Sequence, residues 1–475
     1  MHKFTLTIAA ALIMSGCAMG PDYQAQEVDV PDVWNEGHSD ILALANQQST
    51  ANTEQWQQWW TQYQDPALNT LVERALDENL SLQIQLSRIE QARSQLGLSQ
   101  SNRWPMLSAQ ASAAREQQPT TIMPTALGGG EPRNQFSIAG VLSYEVDLWG
   151  RVSRQREAAT AMLEQSIFGT EAIRLNLITD VVSTYFSLLT IEQQWQAALD
   201  MIASQEQTLA IEEYRYERCA SSPLNVRRAQ ASLASAKASL PDLEEAAQTT
   251  RSALAMLVGY TPREMLEEFK FAEGELNAVN QPTAFPPIAP SELLQRRPDV
   301  RAAEASLKAA SAEVGVAVAQ RFPSLNLNAL LGTAAVDTSD LFSSGSETWS
   351  VSADLAGPIF DFGRRRSAVE TAEAGLVMAE LEYQQAVVSA LRDTRDALVL
   401  LKIAEQRLTA TESEYKAIAD TYRLAEMQYE GGAIGFFELL ETQRALLNIE
   451  MALSTARSKQ LTASTNLFKA LGGGW

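Results

Sequence analysis

Phe437, Glu438 and Glu441 lie together in the stretch 429–444, Tyr-Glu-Gly-Gly-Ala-Ile-Gly-Phe-Phe-Glu-Leu-Leu-Glu-Thr-Gln-Arg. The carboxylates are spaced i, i+3, within about one helical turn of each other and of the ring. No nucleophile, base or metal-ligand set accompanies them, so bond-making chemistry is not expected. What an aromatic beside paired carboxylates can do is block an opening and draw in cations. Gly431, Gly432 and Gly435 interrupt two long heptad-patterned runs here, the mark of a helix-turn-helix tip. A related tip falls near Cys219, 213 positions before Gly432. Spacing alone leaves a plainer reading open, in which the two glutamates are a solvated helix face and Phe437 packs in a seam.

The elements that must hold these tips are long helices. Leu188, Trp195, Ile202, Leu209 and Tyr216 recur every seven residues up to the first tip, and Val226, Leu233, Leu240, Ala247 and Leu254 continue beyond it to Gly259. Leu401, Leu408, Tyr415, Tyr422 and Tyr429 repeat the first comb before the second tip. A seven-residue apolar period of this length predicts helices packed side by side as in coiled coils. Pro241, inside the second arm, is expected to kink or interrupt it. The combs also match each other. Tyr216 and Tyr429, Gln230 and Gln443, Leu254 and Leu467, and Gly259 and Gly472 are all 213 apart, as are Gly150-Arg151 and Gly363-Arg364. Arg103-Trp104-Pro105 is answered by Arg321-Phe322-Pro323 at an offset of 218, and the difference fits a shorter intervening loop. The chain is therefore read as an internal tandem duplication.

Before each helical comb the period changes to two. Leu107, Ala109, Ala111 and Ala113 alternate with Ser108, Gln110 and Ser112, and Phe136, Ile138, Leu142, Tyr144 and Val146 return after a loop rich in Pro and Gly. The second copy supplies Leu325, Leu327, Ala329 and Leu331, then Trp349, Val351, Ala353 and Leu355. One face is mainly apolar; the other carries Ser108, Gln110, Asn326, Asn328, Ser350, Ser352 and Asp354. Four such strands cannot close a barrel in lipid, where open edges leave backbone groups unpaired. Two copies would give about eight strands and a lumen filled by side chains, and three copies about twelve and a passage. A soluble sandwich buried on one face is the alternative.

With 37 basic and 58 acidic residues the formal charge is −21, which argues against nucleic acid or an anionic membrane face as the main partner. The 475 residues include two histidines and two cysteines, too few for a Cys/His metal site, and no cofactor is expected. Lys3 precedes an apolar run, Phe4 to Met14, too short to span a bilayer. Met14-Ser15-Gly16-Cys17 resembles a bacterial lipobox, with Cys17 as the lipidated residue. Ala18 and Met19 lack the aspartate that retains lipoproteins at the inner membrane, so the outer membrane is expected. No later stretch is continuously apolar over 18 residues, so any crossing must use strands.

Trp59 to Leu68 with Asp65-Pro66, Leu148-Trp149-Gly150-Arg151, Arg296-Arg297-Pro298-Asp299, Phe322-Pro323-Ser324, Ile359-Phe360-Asp361-Phe362-Gly363-Arg364-Arg365 and the terminal Ala470-Leu471-Gly472-Gly473-Gly474-Trp475 carry a family resemblance in this order. Over essentially its full length the chain resembles the TolC-like outer-membrane efflux proteins, and within them the lipoprotein branch typified by OprM and NodT. The resemblance implies a mixed α/β membrane protein. It would be a homotrimeric tube with a twelve-stranded transmembrane β-barrel, four strands per chain, and a long periplasmic α-helical barrel wrapped by an equatorial girdle. It implies no enzyme activity. The chain would be the lipid-anchored outer-membrane channel of a tripartite efflux pump, passing small toxic compounds from an inner-membrane transporter and a periplasmic adaptor to the exterior. Two alternatives stand beside it: the duct of a type I protein secretion system, and a non-conducting periplasmic coiled-coil scaffold.

The implied layout is a signal peptide (1–16), a lipidated segment with equatorial residues (17–67), a first repeat (68–260) and a Pro-rich linker (261–290). A second repeat (291–471) and a tail (472–475) complete it. The first repeat holds a strand pair at 106–147 and a helical hairpin at 151–259; the second holds them at 324–357 and 363–471. By the same resemblance Phe437, Glu438 and Glu441 form the periplasmic gate, with phenylalanine where the family often has leucine and glutamate where it often has aspartate. Tyr429 and Arg444 tie neighbouring helices. Adaptor docking falls on Ser221, Ser222, Asn225 and Arg228 of the first tip and Ala433, Ile434 and Gly435 of the second. Cys219 stands where the family often has glycine, and is read as a tolerated small residue. Arg364 to Arg366 could bind lipid phosphate or anchor the barrel rim.

Overall fold

The computed structural model describes residues 19–24, 57–117, 119–122, 130–266, 274–282, 285 and 289–473. The signal peptide, Cys17, the centre of the first inter-strand loop and the last two residues lie outside these. A 3-10 helix, Trp59–Tyr63, leads into α1 (Pro66–Glu78) and α2 (Leu80–Ser101). Strands β1 (Met106–Gln117) and β2 (Pro132–Val146) follow, then helices α3 (Arg151–Glu217) and α4 (Pro223–Val258). After short helices α5 (Pro262–Leu266) and α6 (Pro290–Arg296), the order returns as α7 (Pro298–Ala319), β3 (Ser324–Ala335), β4 (Glu347–Ala356), α8 (Arg364–Glu430) and α9 (Phe436–Ala470). Helices α3 and α8 are both 67 residues long, and their first residues are the pair Arg151 and Arg364, so the duplication in the sequence is a duplication of structure. Two compact units result: one gathers Arg88–Ile167 and Ala302–Gln384 with the N-terminal residues, the other Phe168–Arg301 and Gln385–Trp475 with Val28–Ser87.

In the first unit the four strands form one antiparallel sheet in the order β1-β2-β3-β4. The register carries the period-two pattern straight across it. Leu107 lies opposite Leu142, Leu142 opposite Ala329, and Ala329 opposite Val351, so apolar positions fall on one face in every strand. The other face lines up Glu145, Asn326 and Asp354, and next to them Ser143, Asn328 and Ser352. Asp354 accepts hydrogen bonds from Asn328 Nδ2 and Ser352 Oγ, both at 3.1 Å. Among the described residues the apolar face has no cover: Leu107 is 75% exposed and Val351 76%. Leaving such a face in water opposes folding at roughly 25 cal/mol per Å², so its proper surroundings are apolar. Among the described residues no helix is long and apolar enough to cross a membrane.

The second unit holds the main core. Asp65 caps α1 by accepting the N–H groups of Ala67 (2.8 Å) and Leu68 (3.1 Å), with Pro66 at the first helical position. Its other oxygen accepts from Tyr185 Oη at 2.8 Å, which fixes the start of α1 against α3. Trp59 stacks on Phe468 with ring centroids 5.1 Å apart. The hydroxyl of buried Tyr63 meets Ser464 Oγ at 2.8 Å and Thr465 Oγ1 at 2.7 Å. A tryptophan-rich segment near the N-terminus and the last helix thus build one core from opposite ends of the sequence.

Two sequence expectations change here. Composition marked 261–290 as a linker, yet Leu276, Val279 and Phe285 are buried in the core. Arg457 on α9 donates to the carbonyls of Leu276, Asn277 and Val279 and straps the segment down. Buried Pro282 and Pro290 bring no backbone donor that burial would leave unsatisfied. Pro241 does not interrupt its arm either: α4 is continuous from Pro223 to Val258. One missing hydrogen bond is outweighed by the packing of the flanking turns.

Candidate functional site

Both helical tips belong to the second unit, and their turns are built alike. Cys219 N–H donates to Tyr216 O and Ala220 N–H to Arg215 O; Gly432 and Ala433 make the same bonds to Tyr429 O and Gln428 O. This turn needs a left-handed residue at its centre, with φ +76° at Gly432 and +59° at Cys219. That requirement is the physical reason for glycine at the position, and Cys219 adopts it at a cost of roughly 1 kcal/mol. Cys219→Gly should therefore tighten the tip. Amide exchange of residues 216–223 is expected to slow several-fold, and unchanged exchange would show that the turn is unstrained.

After the first turn Ser222 caps α4, accepting Asn225 N–H at 3.3 Å. After the second, Gly435 is the N-cap of α9 without a side chain to offer, and the Glu438 carboxylate folds back over it. A Cβ at 435 would come within 2.8 Å of Glu438 Oε2. An anion over a helix N-terminus is favourable, so Glu438 is held by its own helix.

The tips are joined by a residue that the sequence did not single out. Glu212, 1% exposed, stands on α3 one turn before its end. Its carboxylate accepts the hydroxyl of Tyr429 from α8, and accepts Ser221 Oγ at 2.5 Å. Arg215 lies 3.7 Å from the same carboxylate and sets its guanidinium 4.4 Å from the Tyr429 ring centroid. Burial and then the bond to Glu212 push the Tyr429 phenol well above its ordinary value, so the tyrosine remains a donor. Asn225 Nδ2 donates to Ser221 Oγ at 3.3 Å, extending the network into α4. A second tie lies further along. Gln443, 1% exposed, donates to Ser204 Oγ and Thr208 Oγ1, each at 3.3 Å, across from α9 to α3.

Below the polar tie sits a small apolar cluster of Ala229, Ala425, Tyr429, Phe436, Leu439 and Leu440, with Ile434 packed against it. Phe436 is buried within it, whereas Phe437 is 50% exposed. The Arg228 guanidinium lies 5.4 Å from the Phe437 ring centroid, a cation–π contact between the tips. Arg444 pairs with Glu441 on its own helix at 3.2 Å. The i, i+3 spacing makes that pair the nearest one available. Ser222, Ala433 and Gly435 are exposed at the turns. The site therefore presents a half-exposed aromatic, two carboxylates and a buried tie holding two hairpins together.

The profile of the outer membrane efflux protein family matches residues 71–260 and 289–473. The antibiotic efflux pump outer membrane protein ArpC of Pseudomonas putida is 31% identical, the alignment covering 100% of this chain and 96% of that protein. The structure of the outer-membrane channel OprN superposes with a TM-score of 0.86 at 29% identity, covering 97% of this chain and 100% of that one. The open-state outer membrane channel MtrE of Neisseria gonorrhoeae does so with a TM-score of 0.82 at 29% identity, covering 96% and 98%. In sequence, in its two matched segments and in fold, the chain belongs to the outer membrane efflux protein family.

Proposed function

We propose that three copies of this chain close into one tube, whose sheets form a barrel through the outer membrane and whose paired tips form its periplasmic gate. The observation that carries this is the sheet itself. It is mainly apolar on one face, the other carries Glu145, Asn326, Asn328, Ser352 and Asp354, and among the described residues β1 and β4 each keep one unpaired edge. Edges in lipid must pair, and about twelve strands leave a water-filled lumen behind the polar face. Cys17, two residues before the first described residue, is the lipid anchor.

The gate is Phe437, Glu438 and Glu441, repeated around the axis. Copies of the half-exposed Phe437 narrow the opening, and the glutamates attract cations and repel anions there. The Glu212 tie keeps the hairpins of each copy together and so favours the closed tip. The exposed turns, Ser221, Ser222, Asn225 and Arg228 with Ala433, Ile434 and Gly435, receive a periplasmic adaptor that connects the duct to an inner-membrane transporter. The cargo is small toxic compounds, in keeping with the antibiotic efflux named for ArpC.

The test is conductance in planar bilayers. Purified protein should insert as a trimer and conduct with a preference for cations. Glu438→Gln combined with Glu441→Gln should reduce that preference about several-fold without blocking insertion. A folded trimer that inserts but never conducts would sink the duct. An unchanged ion preference would move the gate elsewhere.

A further inference from the structure

Away from the tips, a cavity of about 490 Å³ lies between the two hairpins of the second unit. Its walls come from one chain. They are α3 between Gln193 and Ser204, α8 at Tyr415 and Tyr422, α9 between Leu446 and Ser454, and Asn277 of the strapped segment. Hydrogen bonds between helices hold it at both ends. Gln194 Nε2 donates to Met451 O at 3.2 Å and to Thr455 Oγ1 at 3.1 Å on one side, and Gln443 donates to Ser204 on the other. The cavity is thus enclosed by tied hairpins and does not depend on an open edge of the chain.

The duplication offers a comparison within the chain. At matching positions, 213 residues apart, Glu450 answers Lys237, Ala419 answers Glu206, and Asp200 is answered by Ser413. In the first copy Lys237 meets Glu206 at 2.6 Å, an ordinary ion pair between α4 and α3. In the second copy that pair is absent, and the acid in place of the lysine stands within reach of the Asp200 charge. Tyr415 and Tyr422 stand where the first comb has Ile202 and Leu209. Phenols and carboxylates therefore surround this cavity where the other copy has an apolar, ion-paired seam.

The negative charge there is uncompensated. The Glu450 carboxylate has no hydrogen-bond or ion-pair partner among the described residues, and Asp200 takes the Gln196 amide at 3.0 Å. Burial first, and the Asp200 charge second, raise the Glu450 carboxyl above its ordinary range. Among the described residues no lysine, arginine or histidine lines the cavity. Two amide oxygens are also unused. Gln193 Oε1 on the wall is buried without a partner, and so is Oε1 of Gln443, a side chain 1% exposed that touches Ser204 and Tyr422. Surplus negative charge and idle acceptors call for a cation. The volume decides which kind: it far exceeds a bare metal ion and suits a small organic molecule. Met201, Leu446 and Leu453 supply apolar surface, and the phenol rings add faces that favour positive charge.

We propose that this cavity is a binding site for a bulky organic cation, with Glu450 and Asp200 holding the charge and Tyr415, Tyr422 and Met201 holding the apolar body. The inference goes beyond the duct. It concerns the second unit alone and requires neither a barrel nor a gate.

The experiment is equilibrium binding of tetraphenylphosphonium to the purified full-length protein in nonionic detergent. Tetraphenylborate, of the same shape and opposite charge, is measured beside it. Wild type should bind about one tetraphenylphosphonium per chain, and tetraphenylborate on the order of tenfold more weakly. Asp200→Asn with Glu450→Gln should weaken the cation on the order of tenfold and leave the melting temperature intact, since the change removes a repulsion. Tyr415→Ile with Tyr422→Leu, which brings in the residues of the first copy, should weaken it about several-fold. Glu450→Lys should reverse the preference between the two ions. Equal affinity of wild type for both ions overturns the proposal, and so does cation binding by Asp200→Asn with Glu450→Gln that equals wild type. Binding lost in Glu438→Gln with Glu441→Gln, but kept in the cavity variants, would put the cation at the tips and overturn it as well. Planar-bilayer conductance of wild type separates the two readings. Binding without conduction sinks the duct alone, and conduction without binding sinks this inference alone.

Discussion

Glu212→Ala is expected to raise the mean single-channel conductance by about an order of magnitude. The substitution leaves the Tyr429 and Ser221 hydroxyls without their shared acceptor, at a buried position between the hairpins. Losing a charge-assisted pair of this kind costs roughly 2–3 kcal/mol. About half of that cost, the Tyr429 bond, falls on the state in which the hairpins are joined; the Ser221 bond lies within the first hairpin and is lost in both states. A gate that is shut with a ratio of about 100 to 1 would then be open for about a tenth of the time, since each 1.4 kcal/mol is a factor of about ten. Glu212→Gln keeps one acceptor and should fall between the two. Tyr429→Phe keeps the ring in its cluster with Phe436 and removes the same bond between the hairpins, so its effect should approach that of Glu212→Ala. Parallel measurement of insertion and trimer recovery keeps the comparison honest. Conductance equal to wild type in properly inserted Glu212→Ala would show that the tie stabilises the tip without gating it.

The position of the tips was legible in the sequence, and the tie between them was not. Three glycines between heptad combs announce a turn whatever surrounds it, and the 213-residue offset marks the equivalent turn. The sheet was legible for a similar reason: a period of two decides faces before any neighbour is known, and the observed register keeps Leu107, Leu142, Ala329 and Val351 on one of them. Glu212 carries no such signal. It is one acid on a charged helix, and its partner Tyr429 lies 217 residues away. Adjacent Phe436 and Phe437 could not be told apart by hydrophobic pattern, and it was the family resemblance that assigned Phe437 to the gate. Which ring goes inward follows from where α9 starts, and the start is fixed by Gly435 and the Glu438 carboxylate folded over it. Proline content also misled over 261–290. Composition reports that a segment is irregular, and is silent on whether Arg457 will hold its carbonyls against a core.

Arg297 is the position outside the tips where a single change should cost most. The motif Arg296-Arg297-Pro298-Asp299 has a structural explanation in its guanidinium, which joins three helices. Nε and Nη2 fork onto Asp299 at 3.0 and 2.7 Å at the start of α7. Nη2 reaches Asp393 on α8 at 3.3 Å, and Nη1 donates to the carbonyls of Ala390 and Ala470, each at 3.3 Å. Ala470 is the last residue of α9, so the cation also sits at the negative end of a 35-residue helix. Burial by itself would favour the neutral guanidine. Asp299 and then Asp393 outweigh it, and the proton is held more tightly than in a free arginine. Arg297→Met fills much of the space and strips Asp299 of its forked partner, while Thr394 still donates to the carbonyls of Ala390 and Ala470 and Arg392 still pairs with Asp393. Removing one member of a fully buried ionic group costs about 3–5 kcal/mol; because Asp299 and Asp393 are 44% and 39% exposed, water recovers part of that, and about 2–3 kcal/mol is expected. Arg297→Lys keeps the charge but cannot fork, and should cost about half as much. The readout is the temperature at which the detergent-solubilised oligomer dissociates on a gel, with urea unfolding beside it. A clear fall for Met and a smaller one for Lys would establish the junction as a charge-bearing clasp. Equal falls would mean that geometry alone matters, and no fall in either would show that the packing around Gly472 and Thr394 holds the end of α9 without the arginine.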